Sequence, residues 1–172
     1  SVRLGHISMV GLILANNVFK AISARLAITH NAAIEFQQGV ISMSSAVSRP
    51  QAASSDRAKA HFNALLEFET DCWDVHHAIS NNRQDFVLLD VRGEEAYAEG
   101  HVSGAINLPH TRISNETLSQ YPPDTLFVVY CAGPHCNGAD KGALRLANLD
   151  RSVKKMIGGI TGWLDEGFTL SD

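Results

Sequence analysis

An apolar run that ends in a cysteine, Leu126-Phe-Val-Val-Tyr-Cys131, leads into the short segment Ala132-Gly-Pro-His-Cys-Asn137 and then to Gly138, where a helix opens. The pattern points to thiolate chemistry. The run reads as a buried parallel strand, and the loop after such a strand lies in the crevice at its carboxyl end, where α/β proteins place their sites. Backbone N–H groups of the loop, together with the helix N-terminus, make an anion cradle that favours the thiolate and lowers a cysteine pKa below its free value of about 8.5. The same residues also suit a small cysteine that simply packs at a strand end, and the loop alone does not choose between the two.

The elements that must position this loop follow from the periodicity on either side of it. Asp56 is placed to cap a helix to about Glu69 with Ala58, Phe62, Leu65 and Leu66 on one face, and Thr70 or Asp71 to cap a second over about Cys72 to Ser80 that buries Trp73, Val75 or His76, and Ile79. Phe86-Val-Leu-Leu-Asp90 reads as a buried strand, Glu94 to Glu99 as a short helix stopped by Gly100, and Ala105 to Leu108 as a further strand. Ser114 to Gln120 reads as helix, as does Gly138 to Asn148 with Ala143, Leu146 and Ala147 inward. Val153 to Ile157 is the last strand, followed by Gly158-Gly159 and a helix around Trp163. Strand and helix alternate, so the fold class is α/β with a mainly parallel sheet flanked by helices.

The 172 residues, 45% hydrophobic and 19% charged, suit one domain plus an extension. A net charge of -4 without a basic block leaves no footprint for nucleic acid or an anionic membrane, and no run approaches the ~18 apolar residues that a membrane span requires. Three cysteines, Cys72, Cys131 and Cys136, are an odd number at spacings unlike a disulfide framework, which favours a reducing compartment, by default the cytoplasm. Residues 1–54 read as an extension and linker, and residues 55–172 as the domain. Before Glu35 the extension has no acidic residue, so it resembles a targeting segment; Val18, Ile22, Leu26 and Thr29 also lie at helical spacing, which suits an amphipathic helix packed on the domain or on a partner. Ser44 to Ser55 has linker composition, and Met43 just before it is a possible start.

Four ordered motifs, Leu89-Asp-Val-Arg92, Tyr97-Ala-Glu-Gly-His-Val-Ser-Gly-Ala-Ile-Asn-Leu-Pro109, Val129-Tyr-Cys131 and Gly158-Gly-Ile-Thr-Gly-Trp163, resemble those of the rhodanese (sulfurtransferase) family over about residues 70 to 168. The resemblance implies a parallel sheet with an active cysteine in the loop after a central strand. It also implies that Cys131 takes a sulfane sulfur from a small donor, thiosulfate or a persulfide, holds it as a persulfide, and passes it to a thiol, protein or other nucleophilic acceptor. In that reading the amides of Ala132, Gly133, Pro134's neighbours, His135, Cys136, Asn137 and Gly138 stabilise the charge, and the Asn137 side chain caps the helix. No metal or organic cofactor is implied: two clustered thiols and one loop histidine lack the second pair that a zinc site requires.

The other motif residues read as structural support. Asp90 and Arg92 brace neighbouring loops through charge-assisted hydrogen bonds, His101 holds a turn through backbone hydrogen bonds, Gly158 and Gly159 allow a tight strand-to-helix turn, and Trp163 packs in the core. Two features depart from the family's commonest loop. There is no Arg or Lys between Cys131 and Gly138, which disfavours a dianion such as thiosulfate and leaves His135 as the only ionisable loop side chain besides the cysteines, either a contact for an anionic or persulfidic donor or a solvated histidine. Cys136, five residues after Cys131, is a possible resolving thiol or a small residue packed under the helix. Two alternatives stand beside the sulfurtransferase: a non-catalytic binding or regulatory module, and a phosphatase or arsenate reductase. The last is weakened because the residue six after Cys131, where a Cys-x5-Arg loop would carry its bidentate clamp, is Asn137.

Overall fold

The computed structural model describes residues 45–172. The amphipathic helix expected over residues 18–38 and the possible start at Met43 lie outside the described residues. Residues 45–52 are exposed turns and extended chain, and the chain from Ala53 to Asp172 forms one compact unit.

The elements in order are α1 (Ser55–Phe68), β1 (Glu69–Thr70), α2 (Cys72–Ser80), β2 (Phe86–Asp90), α3 (Glu94–Ala98), β3 (Ile106–Asn107), a 3-10 turn (His110–Arg112), α4 (Asn115–Leu118), β4 (Leu126–Tyr130), α5 (Gly138–Ala147), β5 (Ser152–Met156) and α6 (Gly159–Asp165). The five strands form one sheet in the order β1-β5-β4-β2-β3, with every pairing parallel. Among the described residues no helix is long and apolar enough to cross a membrane.

Side-chain alternation along the central strands divides the core into two layers. Leu88, Val128, Tyr130 and Met156 point to one face and pack with Cys72, Val75, Val102 and Trp163. Leu89, Phe127, Val129 and Cys131 point to the other and pack with Ile113, Leu118, Ala139 and Leu146. Cys131 therefore continues the row of Phe127 and Val129 onto the face that α5 covers. The same parity on β5 puts Lys155 beside Val153 on the α5 side.

Several expectations are corrected. Asp56 does not cap α1: it lies inside the first turn, and the N-cap position is Ser54, which makes no side-chain cap bond. Phe62, Leu65 and Leu66 are exposed, and no residue of this helix is buried. Its docking is by hydrogen bonding at its end, where Lys154 Nζ donates to the Leu66 carbonyl at 2.8 Å. Of the two caps expected for α2, Thr70 or Asp71, the structure uses Asp71, which accepts from the Asp74 amide at 2.8 Å. Trp73 on α2 faces outward and stacks on His77, while His76 turns inward and stacks on Phe168 at 3.8 Å, because Val75 and Cys72 define the buried stripe. In α5, Ala139 and Gly142 join Leu146 on the buried face and Ala147 is exposed.

Candidate functional site

Cys131, 6% exposed, stands one residue beyond β4 in the middle of the sheet, and its sulfur borders a cavity of about 210 Å³ at the carboxyl ends of β4 and β5. Gly133, Pro134 and Cys136 from the loop, Ala139 and Asp140 from α5, and residues 155–159 complete the lining. The loop is anchored from the opposite side by the start of α6. Ile160 N–H donates to the Cys131 carbonyl at 3.1 Å, and Thr161 donates to the Ala132 carbonyl through both its N–H (2.9 Å) and its hydroxyl (3.1 Å).

This close approach depends on Gly159, whose φ is +59°. A Cβ there would lie 2.3 Å from the Cys131 carbonyl oxygen and 2.9 Å from the Gly133 nitrogen. Gly158, also at positive φ, begins the turn. Cys72 lies beneath it, donating to the Ile157 carbonyl at 3.3 Å and toward the Gly159 carbonyl at 3.6 Å. Burial, then the charges of Asp71 and Glu166, push this thiol up to about 11, so Cys72 is a protonated donor that supports the turn.

Within the loop, Cys136 N–H donates to the Gly133 carbonyl at 3.0 Å, which turns the chain back over Cys131. Cys131 and Cys136 are joined as a disulfide with their Cα atoms 6.4 Å apart. The pair rests against the first turn of α5, where the Gly138 amide points to Cys136 Sγ at 3.4 Å. Among the described residues, no acceptor bonds to the N–H groups of Ala132, Gly133, His135 or Asn137. Asn137 does occupy the N-cap position, but its backbone (φ -87°, ψ 12°) is not the extended conformation of a capping residue and its side chain makes no cap bond, which corrects the capping expectation. His135 is exposed and is not part of the cavity wall.

Asp90 and Arg92 lie outside the cavity. The Asp90 carboxylate is fully buried, and the Arg92 guanidinium grips it through Nε at 3.0 Å and Nη2 at 2.7 Å while also donating to the Gly100 carbonyl at 2.7 Å. One charge-assisted cluster thus ties the end of β2 to the turn after α3. His101 stacks on Tyr97 and pairs with Ser171 through reciprocal backbone hydrogen bonds (2.9 and 2.8 Å). Trp163 is buried, with its indole N–H donating to the Thr169 carbonyl at 3.0 Å.

Two charged wall residues, Lys155 and Asp140, were not among the residues the sequence singled out. Lys155 is the cation of the cavity wall, and it is held by Asp140 (2.9 Å) and Glu69 (3.1 Å). The hydrogen bond to Asp140, opposed by burial and joined by Glu69, keeps its ammonium above the ordinary lysine range. The available signal was the parity of Lys155 with Val153, which identifies the α5 side only once the strand is known to pair beside β4. Among the described residues, no group of three His, Cys, Asp or Glu side chains is arranged to hold a metal ion.

Residues 74–166 match the profile of the Rhodanese-like domain. The BH2092 protein of Bacillus halodurans is similar at 35% identity with a TM-score of 0.66, over 69% of this chain and 86% of that one. A thiosulfate sulfurtransferase of Pseudomonas aeruginosa shares the fold at 23% identity and a TM-score of 0.54, over 66% of this chain and 21% of that protein. An HTH-type transcriptional regulator of Mycobacterium tuberculosis is 31% identical over 88 residues, 51% of this chain, and the chain spans 38% of the regulator's length.

Proposed function

The chain belongs to the rhodanese-like domain family, and on that premise we propose that it is a sulfurtransferase in which Cys131 carries a sulfane sulfur. The observation that carries the reading is the position of Cys131: at the end of the central strand, bordering the cavity, in a loop with amides that no protein acceptor occupies. In the reduced protein, the Cys131 thiolate attacks the outer sulfur of a persulfide donor, forming the Cys131 persulfide and expelling the donor's thiolate. A thiol or other nucleophilic acceptor then attacks that outer sulfur and regenerates the Cys131 thiolate. The sulfur changes partners without a change in the total number of electrons, so the transfer requires no cofactor and no general base once the thiolate is populated. The loop amides that no protein acceptor occupies are available to stabilise each anionic state. Asp90, Arg92, His101, Gly158 and Gly159 act by positioning.

Charge in the wall supports a persulfide rather than thiosulfate as donor. The loop adds no cation, and Lys155 is neutralised by two carboxylates, so a dianion meets a site with little positive potential. The transfer uses Cys131 as a thiolate, which fits a reducing compartment such as the cytoplasm. The relative that is a transcriptional regulator favours a second reading, in which the domain serves a larger protein as a sulfur- or thiol-responsive module.

The test is the intact mass of reduced protein after exposure to thiosulfate or, separately, to a low-molecular-weight persulfide, followed within seconds of mixing. Wild type gains one reducible sulfur atom and Cys131→Ser gains none, with the persulfide the faster donor. Absence of any gain with either donor refutes the transferase reading and leaves the module.

A further inference from the structure

We propose that Cys136 is a second catalytic residue, which reduces the Cys131 persulfide and releases its sulfur as hydrosulfide. This rests on Cys131 carrying sulfur, as argued above, and adds an exit for that sulfur that uses no external acceptor. The Cys136 thiolate attacks Cys131 Sγ, the inner sulfur of the persulfide. The Sγ–Sγ bond forms, the bond from Cys131 Sγ to the outer sulfur breaks, and its electron pair leaves with hydrosulfide. The outer sulfur is reduced by two electrons, which the two cysteines supply by becoming a disulfide. Two equivalents of a thiol reductant restore both cysteines and leave as the oxidised dithiol or disulfide. The sum is one persulfide and two thiols giving one thiol, one hydrogen sulfide and one disulfide.

Three observations support this. The fold places Cys131 and Cys136 side by side, with a Cα separation of 6.4 Å that lies inside the range disulfides use, so the bond the step forms needs no rearrangement of the backbone. The local backbone is built to bring the two sulfurs together, since the Cys136 N–H to Gly133 carbonyl bond folds the loop back on Cys131. Space for the pair exists because residue 138 is glycine. A Cβ there would stand 2.7 Å from Cys131 Sγ and 3.3 Å from Cys136 Sγ, although the helical backbone at this position accepts any residue. The Gly138 amide, 3.4 Å from Cys136 Sγ, provides a donor to the attacking sulfur. Cys131 is buried and Cys136 is partly exposed, so an incoming reductant meets Cys136 Sγ and expels Cys131 as the thiolate that begins the next round.

The experiment uses the full chain, reduced and desalted without oxygen, then given one equivalent of a low-molecular-weight persulfide. Released sulfide and intact mass are followed together for wild type, Cys136→Ser and Cys136→Ala. Wild type is expected to release about one sulfide per chain and finish as the intramolecular disulfide, while both variants gain one sulfur atom and release sulfide about a hundredfold more slowly, the advantage of an intramolecular thiol being lost. If wild type gains a sulfur atom and holds it as long as the variants do, the resolving role is overturned and the transferase stands. If none of the three gains sulfur, the transferase reading fails and this proposal falls with it.

Discussion

Replacing Gly159 with alanine adds one methyl group at the tightest point of the site, and its cost can be worked from the contacts. The residue sits at φ +59°, where an L side chain costs about 1–2 kcal/mol. The added Cβ would also lie 2.3 Å from the Cys131 carbonyl oxygen, so the backbone at Cys131 or at Gly159 must move. That movement sacrifices the 3.1 Å bond from Ile160 N–H to Cys131 and the 2.9 Å bond from Thr161 N–H to Ala132, each worth about 1 kcal/mol. The total is about 3–4 kcal/mol, a large share of the 5–15 kcal/mol typical of a domain. Gly167 separates the two contributions: its φ is +80°, but nothing lies within 4 Å of a Cβ built there, so Gly167→Ala bears only the conformational cost of about 1–2 kcal/mol. Urea unfolding followed by tryptophan fluorescence measures both. With a slope of about 1–3 kcal/mol per M, Gly159→Ala lowers the midpoint by roughly twice as much as Gly167→Ala. Sulfur gain at Cys131 should also slow in Gly159→Ala and stay at the wild-type rate in Gly167→Ala. Equal midpoint shifts for the two variants refute the account of the anchored loop.

Asp140→Asn frees Lys155 from one of its two carboxylates, and the rate of sulfur gain from thiosulfate should rise by up to about tenfold at low salt, with the gain shrinking as ionic strength increases; an unchanged thiosulfate rate counts against Lys155 facing the donor. Cys72 should resist alkylation in the folded protein at pH 8 and react only after unfolding, because burial pushes it up to about 11. The folded chain keeps this proton where the unfolded chain releases it, so the stability Cys72 contributes is complete below the ordinary thiol range and is lost as pH rises toward 11. Urea midpoints at pH 8 and 10 check this, with wild type falling more steeply than Cys72→Ala; parallel slopes contradict it.

What the residues revealed before folding depended on how many faces each segment buries. β2 and β4 lie inside the sheet with both faces covered, so they read as unbroken apolar runs, and their bounds match the sequence expectation. β1 is two residues, Glu69-Thr70, on the outer edge with a single partner, and it carried no such run. In α1 the spacing of Phe62, Leu65 and Leu66 was visible, but spacing says that a face exists, not that the described residues cover it. Trp73 misled for a related reason: a large apolar residue within one turn of Val75 attracts an inward assignment, while stacking on His77 accommodates it at the surface. In the site, Cys131 was legible because a strand run pointed at it. Lys155 was not, since its role depends on which strands flank β5 and on where Asp140 falls in α5.

Two glycines set two different outcomes for the same sulfur atom. Gly159 lets α6 press on the backbone of Cys131, so the strand end and the first residue of the loop are held in place. Gly138 keeps the floor of that loop empty, which admits the second cysteine to bonding distance of the first. A side chain at 138 would still permit a helix, but its Cβ would press on Cys131 Sγ at 2.7 Å and on Cys136 Sγ at 3.3 Å, so the placement of both sulfurs depends on glycine there. Gly138→Ala should therefore slow loading from a persulfide as well as sulfide release, whereas Cys136→Ala slows release alone. Loading of Gly138→Ala at the wild-type rate would refute the crowding of Cys131 by residue 138.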